Sequence, residues 1–353
     1  MPNQMTPSRE VNNFDVLRIV FAWFVVISHS YFLNNDNISD PLGWMTGNYL
    51  IFSYIGVKGF FVISGYLIFQ SLIRSQSVYD YLVKRVLRIF PGLIMALVLS
   101  LLALYFVYPS NNLPYLLNPE IYTYFTDNVL LFKSHFNIPG VFEGMRSKAV
   151  NGSLWTIKFE FLCYLFLLLV FPFRKSTKIF TLIITILLGC CIFLPIFFST
   201  WVHAVQRPIQ LELLLELGSY FFMGSFWACF TWDEIPFKKW AFATSVTIIL
   251  LCILFKTDRI FLMIPLSFVI MHIGKKKSVL ASWIHNTIGD PSYGMYLYAF
   301  PLQQLLIYAL KPTTIRLLAL STLLSILMGI ISWFWVEKRA LAMKRYFLKG
   351  DTR

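Results

Sequence analysis

Long apolar runs recur along this chain, at 14–33, 49–73, 89–108, 153–173, 179–199, 211–230, 240–256, 259–273, 293–310 and 316–337. A helix needs roughly 20 apolar residues to cross a bilayer. Inside lipid, only helices and closed barrels can satisfy every backbone polar group. The runs therefore predict an all-α, polytopic integral membrane protein with about ten transmembrane helices, the run at 259–273 being short for a crossing. Only 13% of the residues are charged, against about 25% in ordinary soluble domains, which excludes a soluble enzyme.

The formal net charge of +13 could suggest a nucleic-acid partner, but its distribution points to the membrane instead. With the N-terminus placed inside, the inward segments carry 19 of the 30 Lys and Arg residues and the outward segments 8. By the positive-inside rule both termini are expected in the cytoplasm, and no nucleic acid is expected as a partner. The first run contains Arg18 and lacks a small-residue cleavage site, so it is not expected to be a signal peptide. All five cysteines lie in apolar runs without a metal-binding spacing, so neither disulfides nor a metal site are expected.

Residues 1–353 are expected to form a single membrane domain, with a helical core at 10–340 and an outer loop segment at 109–152. A basic tail at 338–353 is expected to lie at the cytoplasmic membrane surface. Within the outer segment, "IYTYFTDNVLLF" reads as an interfacial helix with aromatic anchors. On the inner side, "SVYDYLVKRVLRIFPG" has helical apolar spacing, with Pro91 fitting the first turn of the next span.

Several charges stand where lipid is least hospitable. Arg18 and His29 are eleven residues apart in the first run, which puts them on one helical face about 16 Å apart along the axis. A central arginine costs about 2.5–3.5 kcal/mol even on lenient insertion scales, so this face is expected to border a protein interior. Lys58, Lys158, Glu160, Glu212 and Glu216 also fall within runs. Together with Arg18 their charges nearly cancel, as expected of one buried polar cavity. Lys84, Arg85 and Arg88 form a basic group on the inner side. It fits either phosphate binding through charge-assisted hydrogen bonds or simple positive-inside anchoring. A histidine beside a carboxylate in the outer half suits proton abstraction from a hydroxyl.

Five blocks in order resemble the acyltransferase-3 family of integral membrane O-acyltransferases, the polysaccharide O-acetylating type. They are "FDVLRIVFAWFVVISHS", "GVKGFFVISGYLIF", "YLVKRVLRIFPG", "VNGSLWTIKFEFLCY" and "IGDPSYGMYLYAFPLQQ". The resemblance implies transfer of an acyl group, most often acetyl, from cytoplasmic acyl-CoA to a carbohydrate hydroxyl at the far face of a bacterial inner membrane. It implies catalytic roles for His29 and its partner Arg18, and matches Glu160 and Trp155 to a W-x4-E block. It matches Ser64 to the FFxxSG block, and Arg85 and Arg88 to the basic motif. On this reading CoA's phosphates dock on Lys84, Arg85 and Arg88, and the pantetheine arm passes Arg18, Lys58 and Ser64 towards His29. Glu160 would orient a catalytic group.

Two departures from the family pattern stand out. Ala299 occupies a position where many members carry histidine, and Glu337 is followed by Lys338 rather than by the proline often found there. No extracellular esterase-like domain is expected beyond Glu337. The alternative function is a transporter or flippase of lipid-linked sugars, which also needs buried charge but typically shows paired halves with broken helices; no such repeat is seen here.

Overall fold

The apolar runs become helices because their backbone has no other way to be satisfied away from water. The computed structural model describes residues 12–34, 39–109, 114–174, 176–205, 209–235 and 237–347. Among them every regular element is helical, apart from one isolated bridge pair between Asn137 and Ala149. The principal helices begin with α1 (Phe14–Asn34), α2 (Phe52–Ile73), α3 (Val78–Leu104), α4 (Pro119–Leu130) and α5 (Trp155–Leu168). There follow α6 (Thr177–Phe197), α7 (Leu211–Trp227), α8 (Lys238–Phe255), α9 (Met263–Gly274), α10 (Ser292–Leu310) and α11 (Thr314–Ser332).

Among the described residues, six helical stretches are long and apolar enough to span a bilayer: α1, α2, α3, α6, α8, and the stretch Thr314–Phe347 that opens with α11. The other four runs yield shorter or more polar helices, α5, α7, α9 and α10. At α5 the reason is local, since a 3-10 turn at Gly152–Leu154 precedes the helix and another at Phe171–Phe173 follows it. The described part of the tail is helical, at Lys338–Ala342 and Lys344–Phe347; its last residues lie outside the described set.

Pro91 does not begin a new helix. α3 runs unbroken for 27 residues, capped by Ser77 Oγ, which accepts from the Asp80 amide at 3.0 Å. A mid-helix proline forfeits one backbone hydrogen bond. Packing holds the segment straight through: Gly92 seats the ring of Tyr293, whose hydroxyl donates to the Ile89 carbonyl at 2.9 Å.

α2 lies at the centre, against α1 on one side and α7 on the other. At the α2–α7 crossing the backbones touch: a Cβ on Gly65 would lie 1.8 Å from the Phe221 carbonyl oxygen, and one on Gly224 2.0 Å from that of Val62. Small residues permit this approach where lipid offers no hydrophobic drive for association. α1 also packs on α10 and α11. Its start is tied down by the Asn13 amide, which donates to the carbonyls of Gly274 and Lys276 at 3.0 Å each. These contacts turn the polar face of α1 towards protein.

Candidate active site

The polar face of α1 opens at Arg18 onto a cavity of about 390 Å3 walled by α1, α2, α3, α5 and α10 and by two irregular turns. The turns are π-helical, Ile284–Ile288 and Trp333–Glu337, a geometry found disproportionately at functional positions. They lock together at Gly289, whose φ of +78° needs glycine and whose Cβ would lie 1.9 Å from Trp333 Nε1.

Arg18, Ser64, Lys84, Arg85, Arg88 and Glu160 all line this one cavity. Arg88 Nη2 donates to Asp290 Oδ2 at 2.6 Å and its Nη1 to Glu337 Oε2 at 3.3 Å, and Arg18 also donates to Asp290. Lys84 Nζ bonds Asp80 at 2.7 Å and Ser75 Oγ at 3.0 Å. Deeper in, Ser64 Oγ donates to Glu160 Oε1 at 2.8 Å, and the Tyr164 hydroxyl donates to the same oxygen. The Tyr296 hydroxyl, also at the cavity wall, donates to the Ser153 carbonyl at 2.9 Å and lies 2.7 Å from Thr156 Oγ1.

Two site residues expected from the sequence lie elsewhere. Lys58 is on a different face of α2, where Nζ meets Glu216 Oε1 at 2.7 Å between the rings of Tyr54 and Tyr220. His29 is not part of the cavity lining. Its ring meets Phe300 of α10 edge-on at 5.1 Å, and its Nδ1 is buried without a hydrogen-bond partner among the described residues. The imidazole thus faces α10 rather than lipid. Tyr296, which lines the cavity, and Phe300, which meets His29, stand one helical turn apart on α10.

The buried charges do not share one space, as their near-neutrality suggested. Lys58 with Glu216 forms a separate pair, Lys158 bonds Gln210 Oε1 at 2.6 Å, and Glu212 pairs with His203 at 2.9 Å. Glu160 accepts from Ser64 and Tyr164 rather than from His29. Sequence reasoning missed Asp290, Tyr164 and the contact of Asp15 with His285, 3.3 Å from Oδ2 to Nδ1 at the cavity wall. Asp290 carried a signal, an acid within an otherwise apolar and aromatic block, but Gly289 and Pro291 around it resemble an ordinary turn.

The helical bundle thus encloses one cavity lined by arginines, carboxylates and hydroxyls together. The family model for the acyltransferase domain (acyltransferase 3) matches residues 11–336, and the chain belongs to that family. It is 30% identical to an O-acetyl transferase of Shigella phage Sf6 over 345 residues, covering 94% of this chain and 96% of that protein. It is 36% identical to nodulation protein 10 of Rhizobium leguminosarum bv. viciae over 170 residues, covering 46% of this chain and 45% of that one. No solved structure matches the chain. The protein is therefore an integral membrane O-acyltransferase, taking an acyl donor and a hydroxyl-bearing acceptor.

Proposed function

We propose that the donor is acyl-CoA, most often acetyl-CoA, and that the acceptor is a hydroxyl of a cell-surface or lipid-linked carbohydrate. The protein then sits in a bacterial inner membrane with about ten crossings and both termini in the cytoplasm. The observation that carries this reading is the cavity, because Lys84 and Arg85 line it together with the hydroxyl and carboxylate groups of Ser64, Glu160 and Tyr164. Phosphates of CoA suit the first, through charge-assisted hydrogen bonds. A slender thioester arm suits the second, passing Arg18 and Ser64.

His29 acts as the general base at the far end of this path. A buried imidazole nitrogen with no partner asks for a reason, and a proton taken from the acceptor supplies one. In the transfer, the hydroxyl oxygen bonds the acyl carbon, the carbon–sulfur bond breaks, and His29 carries the hydroxyl proton to the leaving thiolate. The products are an ester and free CoA. Glu160, held by Ser64 and Tyr164, orients the donor side of the cavity rather than the imidazole.

The test is mass analysis of surface glycans from cells bearing the native protein or His29→Ala at equal protein level. Loss of O-acyl groups is expected in the variant. Undiminished O-acylation there removes His29 from the mechanism, and none in either strain removes the carbohydrate acceptor.

A further inference from the structure

Asp290 gathers two arginines from different helices. Its Oδ2 accepts from Arg18 of α1 and from Arg88 of α3, while its Oδ1 accepts from Ser292 Oγ at 2.6 Å. Glu337 adds a second carboxylate to Arg88 and is fixed in turn by Ser332 Oγ at 3.0 Å. Glu337 ends the Trp333–Glu337 turn, and Asp290 follows Gly289, where that turn meets the end of the Ile284–Ile288 turn. With both acids ionised, two guanidiniums and two carboxylates carry no net formal charge. The carboxylate between Arg18 and Arg88 also cancels the repulsion that would otherwise part them.

Arg85, one helical turn before Arg88, is built differently. Its Nη2 donates to Ser71 Oγ at 3.1 Å, and its Nε is buried without a hydrogen-bond partner among the described residues. The guanidinium lies 5.8 Å from the centre of each of the Tyr81 and Tyr164 rings. Its nearest carboxylate influence is Glu160, which accepts from Ser64 and Tyr164 rather than from Arg85. Arg85 lines the cavity, and its guanidinium has hydrogen-bonding capacity that Ser71 alone does not use.

We infer that Asp290 is a positioning residue that clamps Arg18 to Arg88 as a neutral strut shaping the cavity, which takes Arg88 out of the donor's phosphate site and leaves that role, read above for both arginines, to Arg85. The two arginines of one basic motif thus divide their work, Arg88 facing the protein and Arg85 facing the ligand. This rests on the acyl-CoA reading above, since a phosphate-bearing donor is what Arg85 would bind.

The experiment uses the full-length protein purified in detergent, with two readouts: the rise in Tm on adding CoA, and KM and kcat for acetyl-CoA by release of free thiol. A ligand that binds only the folded state raises Tm. Arg85→Gln is expected to lose the CoA-induced rise and to increase KM about tenfold or more, with kcat changed less than about threefold, as for loss of a charged hydrogen bond to bound ligand. Asp290→Asn keeps shape and removes charge. It is expected to keep the CoA-induced rise while kcat falls about tenfold, and Asp290→Glu is expected to recover part of that loss. A merely structural aspartate would lower Tm and yield but leave kcat of the folded protein unchanged. If Asp290→Asn does not accumulate, Arg18→Gln with Asp290→Asn, which removes one charge of each sign, carries the same test.

Native kinetics in the Asp290 variants, or an Arg85→Gln protein that CoA still stabilises as it does the native one, overturn the inference alone. A native protein that gains nothing from CoA overturns the donor reading and this inference with it.

Discussion

Two sets of charges lie on different faces of α2, and one of them lines the cavity of the candidate site. Around Lys58, whose side chain is 4% exposed, Glu216 supplies the counter-charge and two tyrosine rings fill the flanks. The tyrosine hydroxyls bond each other at 3.0 Å. Around Arg18, Arg85 and Arg88 a cavity of about 390 Å3 remains, and Arg85 keeps an N–H unmet. Both sets meet the rule that intramembrane charge must be paired or hydrogen-bonded. Buried charge by itself therefore does not mark a site in such a protein; charge beside enclosed volume, with a donor left over, does.

The strongest way to break that comparison is to fill the volume. Leu67 lines the cavity, and Leu67→Trp is expected to lower acyl transfer by about 100-fold or more while changing stability by only about 1–3 kcal/mol, as for over-packing at a site with room to relax. Free-thiol release and a melting curve on the same preparation check both halves. A Leu67→Trp enzyme with native turnover would deny that the donor enters this cavity.

On the packed side the expectation reverses. Glu216→Gln leaves Lys58 buried without its counter-charge and is expected to lose about 1–3 kcal/mol of stability. Lys58→Met in the same chain should recover most of that, since it removes the buried charge that Glu216 had been balancing. Turnover per folded molecule should stay native in both. A rise in KM for acetyl-CoA in the double variant would return Lys58 to the donor path.

A smaller effect tests the contact of Phe300 with the imidazole. A Cβ on Gly152 would lie 2.6 Å from Cε2 of Phe300, so Gly152→Ala must push that ring, which touches His29. About a tenfold loss in kcat with little change in KM is expected, since small misplacements of reacting groups are expensive. The smallest effect is expected at Lys84, which is paired with Asp80 in the first turn of α3. Lys84→Gln should raise KM for the donor only about two- to fivefold, in line with a partly solvated ion pair.

How far the sequence could be read follows the same division. Arg18 was legible because an arginine in an apolar run has a known cost, and its eleven-residue spacing from His29 fixed their shared face. The helical period tells which residues share a face but not which helix that face meets. Lys58 was therefore read towards the donor, whereas α7 supplies Glu216 on the other side. Glu160 is expected to orient a catalytic group, but the sequence does not say which; α5 starts after a 3-10 turn, and the Glu160 carboxylate accepts from Ser64. Glu337 ends a π turn and Asp290 sits in the short link before α10; neither place has a sequence period, and each acid acquires its meaning only when Arg88 arrives from another element. Pro91 misled in the opposite direction, since proline chemistry is local and the packing that overrides it is not.

The most direct measurement is acyl transfer by the purified protein from radiolabelled acetyl-CoA to membrane carbohydrate, with thiol release followed in the same sample. Label appearing as carbohydrate ester in equal amount to free CoA is the expected result. Thiol release without carbohydrate ester, or carbohydrate carried across vesicles with acetyl-CoA untouched, would contradict the account.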